Sequence, residues 1–343
     1  MVRELSYFRA VVAVAATLWL MIQARGVLEP FLLAILLWFL LNAIAAFYAR
    51  LALGPSGEPG LLARVLAGLT GLGLIAVVGL MASNSVASFR RNLPTYEANL
   101  KAMLENLGGM LGLEGPLDLQ PMLETVQVSD ILLGIAGPAV GVLSATVVIL
   151  VYVAFIFVEA TAFRAKMHAL APDSDRHERL VETVGRIRDE IETYIGVKFA
   201  VGAAQALPTF ALLWAVGLDG AAFWSVVIFV MSFVPTVGSL VGIVFPSVVA
   251  LAQFAAPGPV LLVVFLLTII QLAGSNWLEP KLMGSSLNLS PLVILIAIFA
   301  GGAVWGIVGA LVATPALSVA VIVFSKFDST RPVAILLSSD GRV

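Results

Sequence analysis

Two long runs without charge decide the fold of this chain. Residues 220–278 read GAAFWSVVIFVMSFVPTVGSLVGIVFPSVVALAQFAAPGPVLLVVFLLTIIQLAGSNWL, and residues 282–325 read LMGSSLNLSPLVILIAIFAGGAVWGIVGALVATPALSVAVIVFS. A helix crosses the hydrocarbon core of a bilayer with about 20 residues, so each run is long enough to cross or enter it more than once. Lipid offers the backbone no hydrogen bonds, and the runs lack the alternation of barrel strands. We therefore expect an all-α membrane protein.

Composition supports this class and excludes several others. Hydrophobic residues make up 60% of the chain and charged residues only 12%, about half the share found in soluble domains. There is no cysteine, which excludes disulfides, thiolate nucleophiles and cysteine metal sites, and two histidines are too few for an all-histidine metal site. The sequence has no Ser/His, paired-Asp or HExxH arrangement, so we expect neither an enzyme nor a cofactor. The net charge of −2 gives no reason to expect nucleic acid as a partner.

The whole chain, residues 1–343, is predicted to be one membrane domain. Outside the two long runs, shorter apolar runs mark the other predicted spans. Three N-terminal spans are predicted within residues 10–87, at 10–24, 30–49 and 65–87, and further spans at 131–158 and 199–218. With the two long runs this gives about seven or eight hydrophobic spans. Residues 88–130 form an outer amphipathic segment, interpreted as an interfacial helix or a lid. Residues 160–198 are predicted as a cytoplasmic amphipathic helix, residues 199–325 as the core, and residues 326–343 as a cytoplasmic tail.

The distribution of basic residues predicts the orientation. With the N-terminus in the cytoplasm, 14 Lys and Arg residues fall inside and four outside, with Lys281 not assigned. Both termini are then cytoplasmic. A cleavable signal peptide is not expected, because residues 10–24 run almost directly into the next apolar segment.

The core contains two helix-plus-hairpin units with a break in each hairpin. An unbroken apolar stretch at 199–218 precedes a run interrupted at Pro235–Ser239, and one at 258–278 precedes a run interrupted at Gly301–Gly306. Proline removes a backbone donor and glycine eases unwinding, so both places favour a break. Counting sides, the first hairpin enters from outside and the second from the cytoplasm, which is the layout of an inverted repeat with re-entrant hairpins. Ordinary crossings with kinks remain the alternative.

Polar residues at membrane depth are the candidates for a substrate pathway. The predicted pathway residues are Gln205, Pro235, Thr236, Gly238, Ser239, Gln271, Asn276, Glu279, Pro280, Lys281, Gly301 and Gly302. For each polar side chain, hydrogen bonding between helices is the alternative to contact with substrate. Glu279 and Lys281 flank Pro280 and either neutralise each other at a cavity or form a cytoplasmic turn. No catalytic or metal-binding residue is predicted.

Several of these segments carry a family resemblance. The sequence resembles the autoinducer-2 exporter family, also called the PerM-type permeases, at FVPTVG (233–238), NWLEPKLMG (276–284), LNLSPLV (287–293) and the glycine series from Gly301 to ATP (313–315). The resemblance covers essentially the whole chain. Ser290 stands where relatives often carry histidine and Thr314 where valine is common, and neither difference removes a motif.

The resemblance implies a transport protein of the bacterial inner membrane that forms a homo-oligomer, with a pentamer expected. Members have been linked to export of the quorum-sensing furanone autoinducer-2, and others to Na⁺/H⁺ antiport. The expected partners are therefore the lipid bilayer, a small-molecule or ion substrate, and further copies of the chain. We expect a secondary transporter or exporter of a small solute. The alternatives are a cation/proton antiporter centred on Glu279, and a channel-like or structural oligomer.

Overall fold

A computed structural model describes most of the chain. The described residues are 12, 15–17, 19–53, 60–110, 146–160, 162–163, 166, 169, 174–235, 237–254, 256–283 and 288–341. They form helices and connecting turns, and no strand occurs among them. The predicted all-α class is confirmed. Five residues of the predicted span 10–24 (10, 11, 13, 14 and 18), the first part of the span 131–158 and residues 111–130 of the outer segment lie outside the described residues.

The described residues include ten α-helices and one π-helical turn. In chain order they are α1 (Arg25–Leu53), α2 (Leu61–Met110), α3 (Thr146–Ala160), α4 (Ser174–Val216), α5 (Ala221–Met231), α6 (Val237–Phe254), α7 (Pro257–Ala273), α8 (Glu279–Met283), α9 (Pro291–Ser325) and α10 (Arg331–Leu337). A π-helical turn, Gly274–Leu278, joins α7 to α8.

The long apolar helices confirm a chain built to cross a membrane several times. Within the described ranges, six stretches are long and apolar enough to do so. They are Arg25–Ala52, Leu61–Phe89, Glu178–Val216, Val237–Phe254, Pro257–Met283 and Pro291–Ser325. The helices α3 and α5 are apolar but shorter. The total of seven or eight spans stays a prediction.

Helix ends do not coincide with changes in polarity. The predicted cytoplasmic helix of residues 160–198 and the span that follows are continuous in α4, which runs from Ser174 to Val216. The outer amphipathic segment likewise continues the preceding span within α2, as far as Met110. Once a helix is nucleated, each added residue contributes a further hydrogen bond, so a change from polar to apolar side chains does not end it.

The chain divides into two compact units. The first unit comprises Met1–Arg64, Ala145–Gly196 and Met283–Val343, and the second comprises Val65–Ser144 and Val197–Leu282. Aromatic and aliphatic side chains of α2, α4, α5, α6 and α7 form the core of the second unit, with Trp224 fully buried among them. In the first unit, α1 packs against α3 through Ala34 and Ile149, and against the first part of α4 through Phe39 and Tyr194.

The first predicted break lies in the second unit, where the sequence placed it. Helix α5 ends at Met231, a turn follows as far as Pro235, and α6 begins at Val237. Helix α5, with 11 residues, is about 16 Å long, about half the thickness of the hydrocarbon core. Gly238 packs so closely on the carbonyl group of Met231 that a Cβ there would overlap it. Thr236 lies outside the described residues.

The second break lies in the first unit and folds α9 back on itself. Trp305 (φ −130°, ψ 23°) and Gly306 (φ 58°, ψ −141°) leave the helical conformation, and glycine adopts such a positive φ without strain. Gly301 and Gly309 then face each other across the hairpin in direct backbone contact. The break predicted over 301–306 is thus located at its end, and Gly301 and Gly302 belong to the first leg.

The chain before the second hairpin lies next to the chain that follows the hairpin. The N–H of Ser290, just before the first leg, donates at 2.9 Å to the carbonyl of Leu337, the last residue of α10, which follows the second leg. Whether each hairpin is re-entrant, and whether the two hairpins are related by inversion, stay predictions.

Alanine at Gly309 should destabilise the second hairpin, whereas alanine at Gly302 should not. A Cβ at Gly309 would lie 2.5 Å from the carbonyl carbon of Gly301, but one at Gly302 meets nothing within 4 Å. Overpacking of this kind costs about 1–3 kcal/mol. Thermal unfolding in detergent should therefore show a lower midpoint for Gly309→Ala than for Gly302→Ala. Equal midpoints for the two variants would contradict the close approach of the legs.

Candidate functional site

A buried ion pair lies at one end of the polar residues in the second unit. The Lys198 ammonium on α4 lies 2.5 Å from Oε1 of Glu279, the first residue of α8, and the Lys198 side chain is 0% exposed. A charge removed from water in this way is strongly unfavourable unless a counter-charge accompanies it. Glu279 thus pairs with Lys198 and not with Lys281. The Lys281 ammonium is exposed and lies 5.0 Å from the ring centre of Trp277.

A hydrogen-bonded cluster continues from this pair along the same helices. Gln205 on α4 donates its Nε2 to the backbone carbonyl of Gln271 and to Oγ of Ser275, each at 3.2 Å. The Ser275 hydroxyl lies 2.6 Å from the hydroxyl of Ser239 on α6. Gln205 is 2% exposed and Gln271 1%. We call Lys198, Gln205, Ser239, Gln271, Ser275 and Glu279 the polar column.

Glycines allow the two carboxamides of the column to approach neighbouring backbones. A Cβ at Gly274 would lie 2.6 Å from the carboxamide carbon of Gln205, and one at Gly242 would lie 2.7 Å from Nε2 of Gln271. Both side chains therefore occupy space that any larger residue would fill. This packing holds α4, α6 and α7 together through polar groups in an otherwise apolar unit.

One donor of the column is left without a partner. The Nε2 of Gln271 is buried and makes no hydrogen bond to any described residue. A buried donor in this state costs about 1–3 kcal/mol. A solute oxygen reaching this amide would remove the penalty, so the column has an unused donor as well as two hydroxyl groups. Its charges cancel, because Lys198 and Glu279 neutralise each other.

A second polar cluster fixes the far part of α2. The carboxylate of Asp219, between α4 and α5, accepts hydrogen bonds from Asn92 Nδ2 at 2.5 Å and from the Tyr96 hydroxyl at 2.6 Å. Asn99 donates to the carbonyls of Ala252 and Gln253 at the end of α6. Burial, reinforced by the nearby Asp219 carboxylate, raises the pKa of Tyr96 well above its ordinary value. The amphipathic part of α2 is therefore bound to the second unit by directed contacts.

Comparison with known proteins identifies the family. The family model described as "AI-2E family transporter" matches residues 8–328. The chain belongs to the AI-2E transporter family. It is therefore a multi-pass membrane transport protein, and the resemblance carried by the FVPTVG and NWLEPKLMG segments is confirmed.

Relatives of this AI-2E protein match over most of their length. A putative transport protein of Borreliella burgdorferi is 24% identical, with 92% of this chain and 85% of the relative covered. The AI-2 transport protein TqsA of Escherichia coli is 23% identical, with 92% and 90% covered. A putative transport protein of Haemophilus influenzae is 26% identical, with 98% of each chain covered.

The structure of this AI-2E transporter brings together only part of the predicted pathway. Gln205, Ser239, Gln271 and Glu279 meet in the polar column. Asn276, Pro280 and Lys281 are exposed on the outer face of the same helix. The remaining predicted residues are elsewhere: Pro235 and Gly238 in the turn before and the start of α6, Gly301 and Gly302 in the other unit, and Thr236 outside the described residues.

Lys198 is the functional candidate that sequence analysis missed. In the sequence it is one of the 14 basic residues assigned to the cytoplasmic side. Its spacing of seven residues from Gln205 places both on one face of α4, about 20° apart after two turns. That spacing was the available signal, and it becomes informative only when a partner for the charge is known.

Replacing Glu279 by glutamine should destabilise the AI-2E protein much more than replacing Lys281 by methionine. Glu279→Gln leaves the buried Lys198 ammonium without a counter-charge, which costs about 3–5 kcal/mol. Lys281→Met removes an exposed cation over Trp277, worth about 1 kcal/mol or less. Thermal unfolding in detergent measures both variants. If Glu279→Gln unfolds at the midpoint of the unmodified protein, the pair is not buried as described.

The contribution of Tyr96 should disappear at high pH. Because the folded state raises the pKa of Tyr96, its stabilisation is complete below about pH 10, the ordinary value for tyrosine, and falls as the pH rises above it. Tyr96→Phe should lose about 1.5–3 kcal/mol at pH 8, for a hydrogen bond to a charged group. The deficit should shrink above pH 10.

Unfolding midpoints measured across this pH range provide the test. Thr95→Ala, which removes an exposed hydroxyl from the adjacent position, is the matched control and should show a small difference that does not change with pH. A deficit for Tyr96→Phe that stays constant to pH 11 would contradict the assignment.

Proposed function

We propose that this AI-2E transporter is a secondary transporter that exports a small, uncharged, polar solute through the polar column of the second unit. The observation that carries the proposal is the unpartnered amide of the buried Gln271, one helical turn before Ser275, whose hydroxyl meets that of Ser239. The three groups offer hydrogen bonds at a depth where the surrounding side chains are apolar. In the proposed function, a passing solute completes these hydrogen bonds.

The charge balance of the column favours a neutral solute. Lys198 and Glu279 form an ion pair, and the other members of the column are uncharged. A charged solute would lose its hydration without gaining a free counter-charge, and that loss is large in an apolar medium. Hydroxyl and carbonyl groups on such a solute can form hydrogen bonds with the amide and hydroxyl groups of the column.

The name of one relative supports a particular kind of solute. The Escherichia coli relative is described as an AI-2 transport protein, and autoinducer-2 is a small furanone. We propose solutes of this kind for the present chain. We also propose a location in the bacterial inner membrane with both termini in the cytoplasm, supported by the 14 to 4 distribution of basic residues. A homo-oligomer, expected as a pentamer, completes the proposal.

Cation/proton exchange centred on Glu279 receives less support from the contacts. A coupling carboxylate must be able to release and bind its ion during the cycle, whereas the Glu279 carboxylate is engaged by the buried Lys198 ammonium. Glu279→Gln in vesicles carrying a pH gradient separates the two functions. Loss of Na⁺-driven proton movement in the variant, with such movement present in the unmodified protein, would favour the antiporter.

Flux into proteoliposomes tests the proposed function. The purified protein should move autoinducer-2 or a neutral polyol faster than protein-free vesicles do, and Gln271→Leu should slow this flux about tenfold through loss of a hydrogen bond near 1.4 kcal/mol. Thr268→Val is the matched control, since the Thr268 hydroxyl on the same helix donates to the backbone carbonyl of Val264, one turn earlier in that helix. Folded protein that moves none of these solutes would contradict the proposal. Equal flux from Gln271→Leu and Thr268→Val would do the same for the column.

A further inference from the structure

The π turn Gly274–Leu278 interrupts what would otherwise be one continuous helix. The stretch Pro257–Met283 is apolar throughout and long enough to cross a membrane as a single span. Within it the N–H of Glu279 donates to the carbonyl of Gly274, five residues back. A π turn accommodates one residue more than an α-helical turn, and such turns occur frequently at functional sites.

The extra residue aligns the polar column. On α4, Lys198 and Gln205 are seven residues apart, which is about 20° short of two full helical turns. Gln271 and Glu279 are eight residues apart and in a regular α-helix would point about 80° apart. The π turn absorbs one residue, so Glu279 points in nearly the same direction as Gln271. Glu279 can then meet Lys198 on α4 while the Gln271 side chain stays packed against Gly242 of α6.

Gln205 holds the turn from the opposite helix. Its Nε2 donates to the carbonyl of Gln271, just before the turn, and to the hydroxyl of Ser275, inside it. Gly274, the first residue of the turn, packs directly on the Gln205 side chain. A single buried carboxamide thus contacts this helix at Gln271, Gly274 and Ser275, around the point where the turn begins.

We propose that the π turn is a two-state element of the transport cycle, that Gln205 is the positioning residue for its wide form, and that conversion to a regular α-helix opens the Lys198–Glu279 end of the column. Conversion rotates the segment after Leu278 by about 100° and shifts it by about 1.5 Å. Glu279 then turns away from Lys198, and the separated charges admit water. The inference rests on the proposed function for its purpose, but its structural claim stands without a known solute.

The conversion can be followed as a distance in a chain that has no native cysteine. Spin labels at Leu207→Cys on α4 and Leu282→Cys after the turn occupy exposed positions of the second unit, 69% and 44% exposed. Pulsed electron–electron double resonance in phosphatidylethanolamine/phosphatidylglycerol vesicles reports the distance between the two labels. We expect two distances in the labelled chain, the more populated one belonging to the π form.

Two variants in the labelled background decide the role of Gln205. Gln205→Met keeps the volume and removes the donors, and it should raise the ratio of the second distance to the first about tenfold. Thr209→Val is the matched control one turn along the same helix, where the buried hydroxyl has no hydrogen-bond partner among the described residues. It should leave the ratio unchanged. A single distance that Gln205→Met does not alter overturns the inference, as does an equal change in both variants.

Deleting Asn276, an exposed residue inside the turn, provides an independent measurement. With one residue fewer, a regular α-helix aligns Gln271 and Glu279 by itself, so the pair with Lys198 no longer requires the turn. The deletion should leave one distance, close to that of the π form. Two distances in this variant would contradict the assignment of the second distance to loss of the turn.

These measurements need no solute, so they separate the inference from the proposed function. Absence of flux for every solute would contradict the proposed function and leave the distances unaffected. Flux together with an invariant distance would contradict the two-state turn alone.

Discussion

An ammonium group that is wholly removed from solvent needs a counter-charge, and in the second unit this requirement fixes the relation of two helices. Lys198 is buried on α4, and Glu279 at the start of α8 neutralises it. For Glu279 to reach Lys198 while Gln271 stays buried beside Gln205, the helix after Gln271 must contain one residue more than regular geometry allows on that face. The π turn supplies that residue. The ion pair, the carboxamide contacts and the unpartnered Gln271 amide are thus parts of one arrangement.

Polar contacts and close packing at glycines also hold together the other helices of the second unit. Apolar contacts between membrane helices have little advantage over contacts with lipid, so close approach and hydrogen bonds set the packing. Gly242 and Gly274 permit the carboxamides to lie against neighbouring backbones. At the other end of α4, Asp219 attaches the amphipathic part of α2 through Asn92 and Tyr96. Polar contacts therefore fix both ends of α4 within this unit.

The two helix breaks could be predicted from the residue types at those positions, whereas the Lys198–Glu279 ion pair could not. Pro235 lacks a backbone donor and Gly306 takes a positive φ, so both interruptions follow from residue type at a single position. The partners Lys198 and Glu279 are 81 residues apart in sequence. Regular helical periodicity places Gln271 and Glu279 on different faces. The π turn that brings them into line cannot be predicted from residue type. The continuity of α4 was also missed, since its change of polarity reflects its surroundings and not its backbone.

The ion pair between Lys198 and Glu279 is tested most directly by the coupling energy between these two residues. This energy is obtained from the free energies of unfolding of charge-reversed variants. Lys198→Glu and Glu279→Lys each place two like charges together, so each alone should be strongly destabilised. The double variant Lys198→Glu/Glu279→Lys restores an ion pair and should recover most of the lost stability, which is a large favourable coupling energy. Destabilisations that simply add in the double variant would show that the two side chains do not meet, and would contradict the arrangement built on them.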